Sequence, residues 1–102
     1  MEKQHVLKIV KDAVHKVDNE AEVILFGSRA RGDFHKESDW DFLILTEKKE
    51  SNILKEKIWG IMFDAELETN EVFGTIVHNK KEWENYEVTP LYQFIKKEGM
   101  RL

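Results

Sequence analysis

The feature that most limits how this chain can fold is a short β-forming run, Glu22-Val23-Ile24-Leu25-Phe26, that stops at Gly27-Ser28. The run is rich in β-branched and aromatic side chains, and its apolar part is far too short for a bilayer, which needs ~20 residues. It therefore reads as a buried strand that meets a glycine and turns. A second run of the same kind, Trp40-Asp41-Phe42-Leu43-Ile44-Leu45, gives a second strand. Between them a short helical turn starts at Ser28. Ahead of the first strand, Val6, Ile9, Val10, Ala13, Val14 and Val17 recur at spacings of three and four, which predicts a helix over 3–17 with one buried stripe, ended by Asp18-Asn19.

Past a charged turn, Glu47-Lys48-Lys49-Glu50, the pattern predicts a helix over 51–65 whose buried face is Ile53, Leu54, Lys57, Ile58, Ile61 and Met62. A third strand covers 71–78 and is weakened or bulged at Gly74. A short helix lies near 80–85, and another over about 90–98, with Thr89 as N-cap, Pro90 at the first position and Gly99 as the stop. The order α-β-β-α-β-α-α predicts an α/β (α+β) fold, a sheet covered by helices. No repeat, low-complexity tract or linker interrupts the chain, so residues 1–102 are expected to form one continuous domain.

Composition narrows the function. Of 102 residues, 41% are hydrophobic and 35% charged, enough apolar material for a core and too much for a disordered chain. The absence of cysteine excludes disulfides, thiolate catalysis and Cys-ligated zinc. A net charge of −4 argues against bulk nucleic-acid binding but leaves room for one nucleotide in a local basic site. The first residues are charged and lack an apolar core, so no signal peptide and no membrane span are expected, and a cytoplasmic location is.

The chemistry concentrates in Phe26-Gly27-Ser28-Arg29-Ala30-Arg31-Gly32-Asp33 and Ser38-Asp39-Trp40-Asp41. Gly27 lets backbone approach a ligand, Ser28 offers a hydroxyl, and the amides that follow point at the same spot. Arg29 and Arg31 bring guanidinium groups suited to phosphate. Asp39 and Asp41 stand two apart, about 6.6 Å between Cα atoms on an extended strand, and share a face. Two carboxylates so placed repel unless a cation lies between them, and Mg²⁺ takes such oxygen ligands. The structural alternatives are a surface role for Arg29, an ion pair with Asp33 for Arg31, a turn role for Asp33 and Ser38, and core packing for Trp40, which points away from the acids. Phe34, Trp59, Phe63, Phe73 and Trp83 read as core or partner surface, and the four histidines lack metal-ligand spacing.

Gly27-Ser28, Ala30-x-Gly32 and Ser38-Asp39-x-Asp41 together resemble the signature of the DNA polymerase β-type nucleotidyltransferases, in their minimal branch. The resemblance implies a small mixed sheet with helices packed on it. It implies that Gly27, Ser28, Arg29 and Arg31 bind the nucleotide, and that Asp39 and Asp41 are catalytic and hold Mg²⁺ (or Mn²⁺). The reaction would move a nucleoside monophosphate, with AMP expected, from ATP or another NTP to a hydroxyl. The partner would be a helical HEPN-type protein of a toxin–antitoxin pair, and self-association into a homo-oligomer is a further expectation from the aromatic content.

One departure concerns the third carboxylate that the family carries mid-strand on a later strand. Here that strand has no central acid. Thr75 is expected at the acidic position, with Glu71 at the strand entry as candidate third acid and Asp64, Glu66 and Glu68 on a helix end or turn. Three readings follow: a protein-modifying nucleotidyltransferase, a weakened nucleotide- or partner-binding module, and an enzyme acting on an aminoglycoside-like acceptor.

Overall fold

A computed structural model describes residues 2–102. Helix α1 (Lys3–Val17) buries Val6, Leu7, Val10 and Val14, as its spacing dictates. Strands β1 (Glu22–Phe26), β2 (Trp40–Thr46), β3 (Phe73–Asn79) and β4 (Met100–Arg101) form one mixed sheet in the order β3-β2-β1-β4. β1 runs antiparallel to both β2 and β4, while β2 and β3 are parallel. A parallel neighbour requires a crossover, and α3 (Asn52–Thr69) supplies it.

Alternation along the strands gives the sheet two different faces. Val23, Leu25, Trp40, Phe42, Ile44, Phe73 and Val77 point to the layer made by α1 and α3. Phe26, Leu43 and Leu45 point the other way, toward Trp83 and Ile95. These last two sit on α4 (Lys80–Trp83) and α5 (Pro90–Glu98), which are joined by a 3-10 turn over 84–86. Thr89 caps α5, its Oγ1 accepting from the Tyr92 N–H at 3.3 Å, with Pro90 in the first turn.

Three boundaries depart from the sequence reading. α3 runs a full turn beyond residue 65 and is stopped by Asn70, whose φ of 57° is left-handed. Its buried face is Leu54, Ile58, Met62, Ala65 and Thr69, so Ile53 and Lys57 are not part of it. β3 begins at Phe73 rather than 71, because the Trp40 N–H donates to the Val72 carbonyl and the ladder starts at the Trp40–Phe73 pair. The two-residue β4, too short to carry a pattern, fastens the end of α5 to β1. Among the described residues no helix is long and apolar enough to cross a membrane.

Asp18 links two connections at the far end of the sheet. Only 7% exposed, it accepts from the Glu20 N–H at 3.0 Å and from the Glu47 N–H at 2.9 Å. Removing a charged acceptor leaves two amides unpaired. Asp18→Ala is expected to lower the unfolding free energy by about 2–3 kcal/mol, read by urea unfolding. A change within ~0.5 kcal/mol, the range of an ordinary surface substitution, would contradict this account.

Candidate active site

Phe26, the last residue of β1, pairs with Asp41 on β2, and Asp41 pairs on its other side with Gly74 on β3. Gly27 then takes φ 76°, a region that favours glycine. A Cβ at Gly27 would run into Asp41 Oδ2, and one at Gly74 would lie 2.8 Å from Asp41 Oδ1. The carboxylate thus occupies space that two missing side chains leave open. Burial pushes its pKa up, and the Asp39 charge adds to that; Arg31 opposes, and Glu98 raises it further. Asp39 is exposed, immediately before the strand.

The turn itself is helix α2 (Ser28–Arg31), with the Gly27 carbonyl accepting from the Ala30 and Arg31 N–H groups at 3.0 Å each. The first amides of such a turn have no acceptor inside it. The Gly27 N–H donates to Glu98 Oε2 at 2.7 Å, and Arg31 Nη1 donates to Glu98 Oε1 at 3.1 Å. Arg31 Nε also donates to Asp33 Oδ2 at 3.2 Å, so the expected Arg31–Asp33 pair is present. Asp33 first, then Glu98, hold the guanidinium pKa above its usual value. Glu98 was not singled out by sequence. It lies 71 residues from Gly27, and the packing of α5 through Ile95 together with the β4 pairing brings it there.

Arg29 does not join this group. It is 7% exposed, its Nε and Nη2 donating to the Ser38 carbonyl at 3.3 and 3.1 Å and Nη2 to the Lys36 carbonyl at 3.3 Å. Its guanidinium carbon lies 4.4 Å from the ring centroids of both Phe34 and Trp40. The neighbouring Ser38 Oγ accepts from the His35 N–H at 3.0 Å. Arg29 therefore orders the loop that delivers Asp39, in place of the phosphate contact expected from sequence. Trp40, 2% exposed, is core as expected.

The third-acid expectation is corrected by register. Thr75 pairs with Phe42 and shares its face, toward α1 and α3 and opposite to Asp41; the residue beside Asp41 is Gly74. Glu71 precedes β3 by two residues, and Asp64, Glu66 and Glu68 lie within α3. Among the described residues no group of three or more His, Cys, Asp or Glu could hold a metal ion. Two carboxylates remain. That set fits Mg²⁺, which is commonly bound by one or two carboxylates completed by substrate phosphates rather than by an all-protein cage.

If Arg29 holds the loop through a planar fork, lysine cannot replace it. Arg29→Lys is expected to cost about 2 kcal/mol of stability and to speed proteolysis within residues 33–39. Unchanged stability and cleavage would show that the loop does not depend on the fork.

The nucleotidyltransferase domain family model matches residues 5–99. A relative from Methanocaldococcus jannaschii, named "Putative protein adenylyltransferase MJ0141", is 36% identical over 93 residues, spanning 84% of this chain and 88% of its own. A crystal structure of a toxin–antitoxin with AMP-PNP superimposes with a TM-score of 0.64 at 20% identity, covering 99% of this chain and 72% of that one. A mutant of the MntA-HpeT toxin–antitoxin gives the same TM-score and coverages at 18% identity. The likeness to these structures is one of fold, and the sequence matches carry the assignment: this chain belongs to the nucleotidyltransferase domain family.

Proposed function

We propose that this chain transfers a nucleoside monophosphate, AMP in the first instance, from a magnesium–NTP complex to a hydroxyl of a partner protein. The observation that carries the reading is the seating of Asp41 between Gly27 and Gly74, which sets a carboxylate against the start of the α2 turn. The archaeal relative's designation supports a protein acceptor and an adenine nucleotide. The toxin–antitoxin neighbours support a protein partner, and the motif resemblance makes a helical HEPN-type protein the one to test.

In this mechanism the acceptor hydroxyl attacks the α-phosphorus, the bond to the bridging oxygen breaks, and pyrophosphate leaves. Asp39 and Asp41 would hold Mg²⁺, which offsets charge on the phosphate oxygens. Ser28 and the turn amides orient the β- and γ-phosphates. Arg31 takes a phosphate oxygen once it leaves Glu98. The β3 residue beside Asp41 is Gly74, so no third strand acid receives the hydroxyl proton, and it passes to solvent.

The test incubates the protein with α-labelled ATP, Mg²⁺ and the product of the adjacent reading frame, expected to be a helical protein. Asp39→Asn and Asp41→Asn are each expected to cut label transfer about 100-fold or more, with far-UV circular dichroism unchanged. Equal labelling by wild type and both variants would reject the assignment. Gly74 favours a second reading, a nucleotide-binding module: Mg-ATP binding by calorimetry, without pyrophosphate release in the partner's presence, would select it.

Glu98 competes with the triphosphate for the Gly27 amide and for Arg31. Glu98→Gln is expected to tighten Mg-ATP binding several-fold in the same calorimetry. Weaker binding would mean that Glu98 holds the turn in its binding shape instead of blocking it.

A further inference from the structure

The outer side of α3 has no use in the reading above. A surface helix should be polar opposite its buried stripe. Here Ile53, Trp59, Phe63 and Leu67 are 68%, 50%, 59% and 68% exposed. Ile53, Gly60 and Leu67 recur every seven residues and so lie along one line, about 21 Å long at 1.5 Å per residue. Gly60, in the middle, is exposed and has nothing within 4 Å of where a Cβ would stand.

We propose that this face pairs two copies of the chain, antiparallel, about a twofold axis at Gly60. The register is self-complementary, as an isologous contact must be. Ile53 and Leu67 are equally far from Gly60, so each meets the other across the axis. Lys57 and Asp64 flank Gly60 by three and four residues and share one edge of the face, so Lys57 of one copy meets Asp64 of the other, twice. Both are exposed, and among the described residues neither has an ion-pair partner within the chain. A parallel pairing would put the Lys57–Asp64 edges of the two copies on opposite sides of the contact, where these pairs do not form.

Gly60 lets the two helices approach closely at the crossing. The four large side chains supply roughly 400–500 Å² of apolar surface per copy, about half of the ~800 Å² that each partner contributes to a standard interface. The dimer is therefore a concentration-dependent one. α3 packs on the sheet face opposite Asp41, so pairing leaves both Asp41 sites open. The inference does not rest on the proposed catalysis.

The test is sedimentation equilibrium of the full chain over a wide concentration range. The mass is expected to rise from 12.1 kDa toward about 24 kDa, twice the monomer. Lys57→Glu and Asp64→Lys, each counted twice by symmetry, are each expected to weaken association about tenfold. The double variant Lys57→Glu/Asp64→Lys is expected to return it to near wild type. Circular dichroism checks that these exposed substitutions leave the helix intact. A monomer at every concentration overturns the proposal and leaves the face to a different protein. Single variants that associate like wild type, or a double variant that fails to recover, overturn the antiparallel register.

Discussion

The site depends on one steric constraint: the Asp41 carboxylate lies between two glycines, Gly27 just past the end of β1 and Gly74 on β3. Gly27 admits Oδ2 and its positive φ starts the turn; Gly74 admits Oδ1. The same constraint bears on the acid that the family carries mid-strand. Any side chain at residue 74 must displace Asp41 or move aside itself, because its Cβ would stand 2.8 Å from the carboxylate. A third acid at this position would thus require the Asp41 carboxylate to take a different seat from the one it has here.

What was legible in the sequence follows from how local each signal is. α1, β1 and β2 carry their periods in consecutive residues, and Trp40 was readable as core because it alternates with two acids. The α2 turn was readable from Gly27-Ser28 alone. α3 was only half legible: Ile53, Trp59, Phe63 and Leu67 add a second apolar stripe, so periodicity could not say which side is buried. The face of Thr75 was not legible at all. In a parallel pair the register is set by the crossover and the ladder, and a slip of one residue exchanges the faces. Glu98 was invisible for a different reason, since its contact spans 71 positions and depends on a two-residue strand.

The arginines divide the work by environment. Their residue type and near adjacency suggested one shared task, but a short helical turn sends them to different sides. Arg29 is enclosed by carbonyls and two rings, where a planar fork with several donors is satisfied and a phosphate has no access. Arg31 stays at the surface between Asp33 and Glu98, pairs that solvent weakens and that can exchange for others. A buried guanidinium is therefore the fixed one, which shapes the loop, and an exposed one is free to change partner.

The balance of charge around the turn sets the order of events in any binding reaction. Asp33, Asp41 and Glu98 lie near one guanidinium, Arg31, and Asp39 adds its charge beside Asp41. A bare triphosphate approaching this group meets a net negative field, and the amides of a four-residue turn are too few to reverse it. A divalent cation changes the sign of the problem. Held by Asp39 and Asp41, it would offset the Asp39 charge that adds to burial in raising the Asp41 pKa, and phosphate oxygens would complete its ligands. Glu98, carrying one charge where a triphosphate carries several, is then the weaker competitor for Arg31. On the proposed function, the carboxylate that meets the turn in the free protein would give way to a cation-charged nucleotide rather than to a bare one.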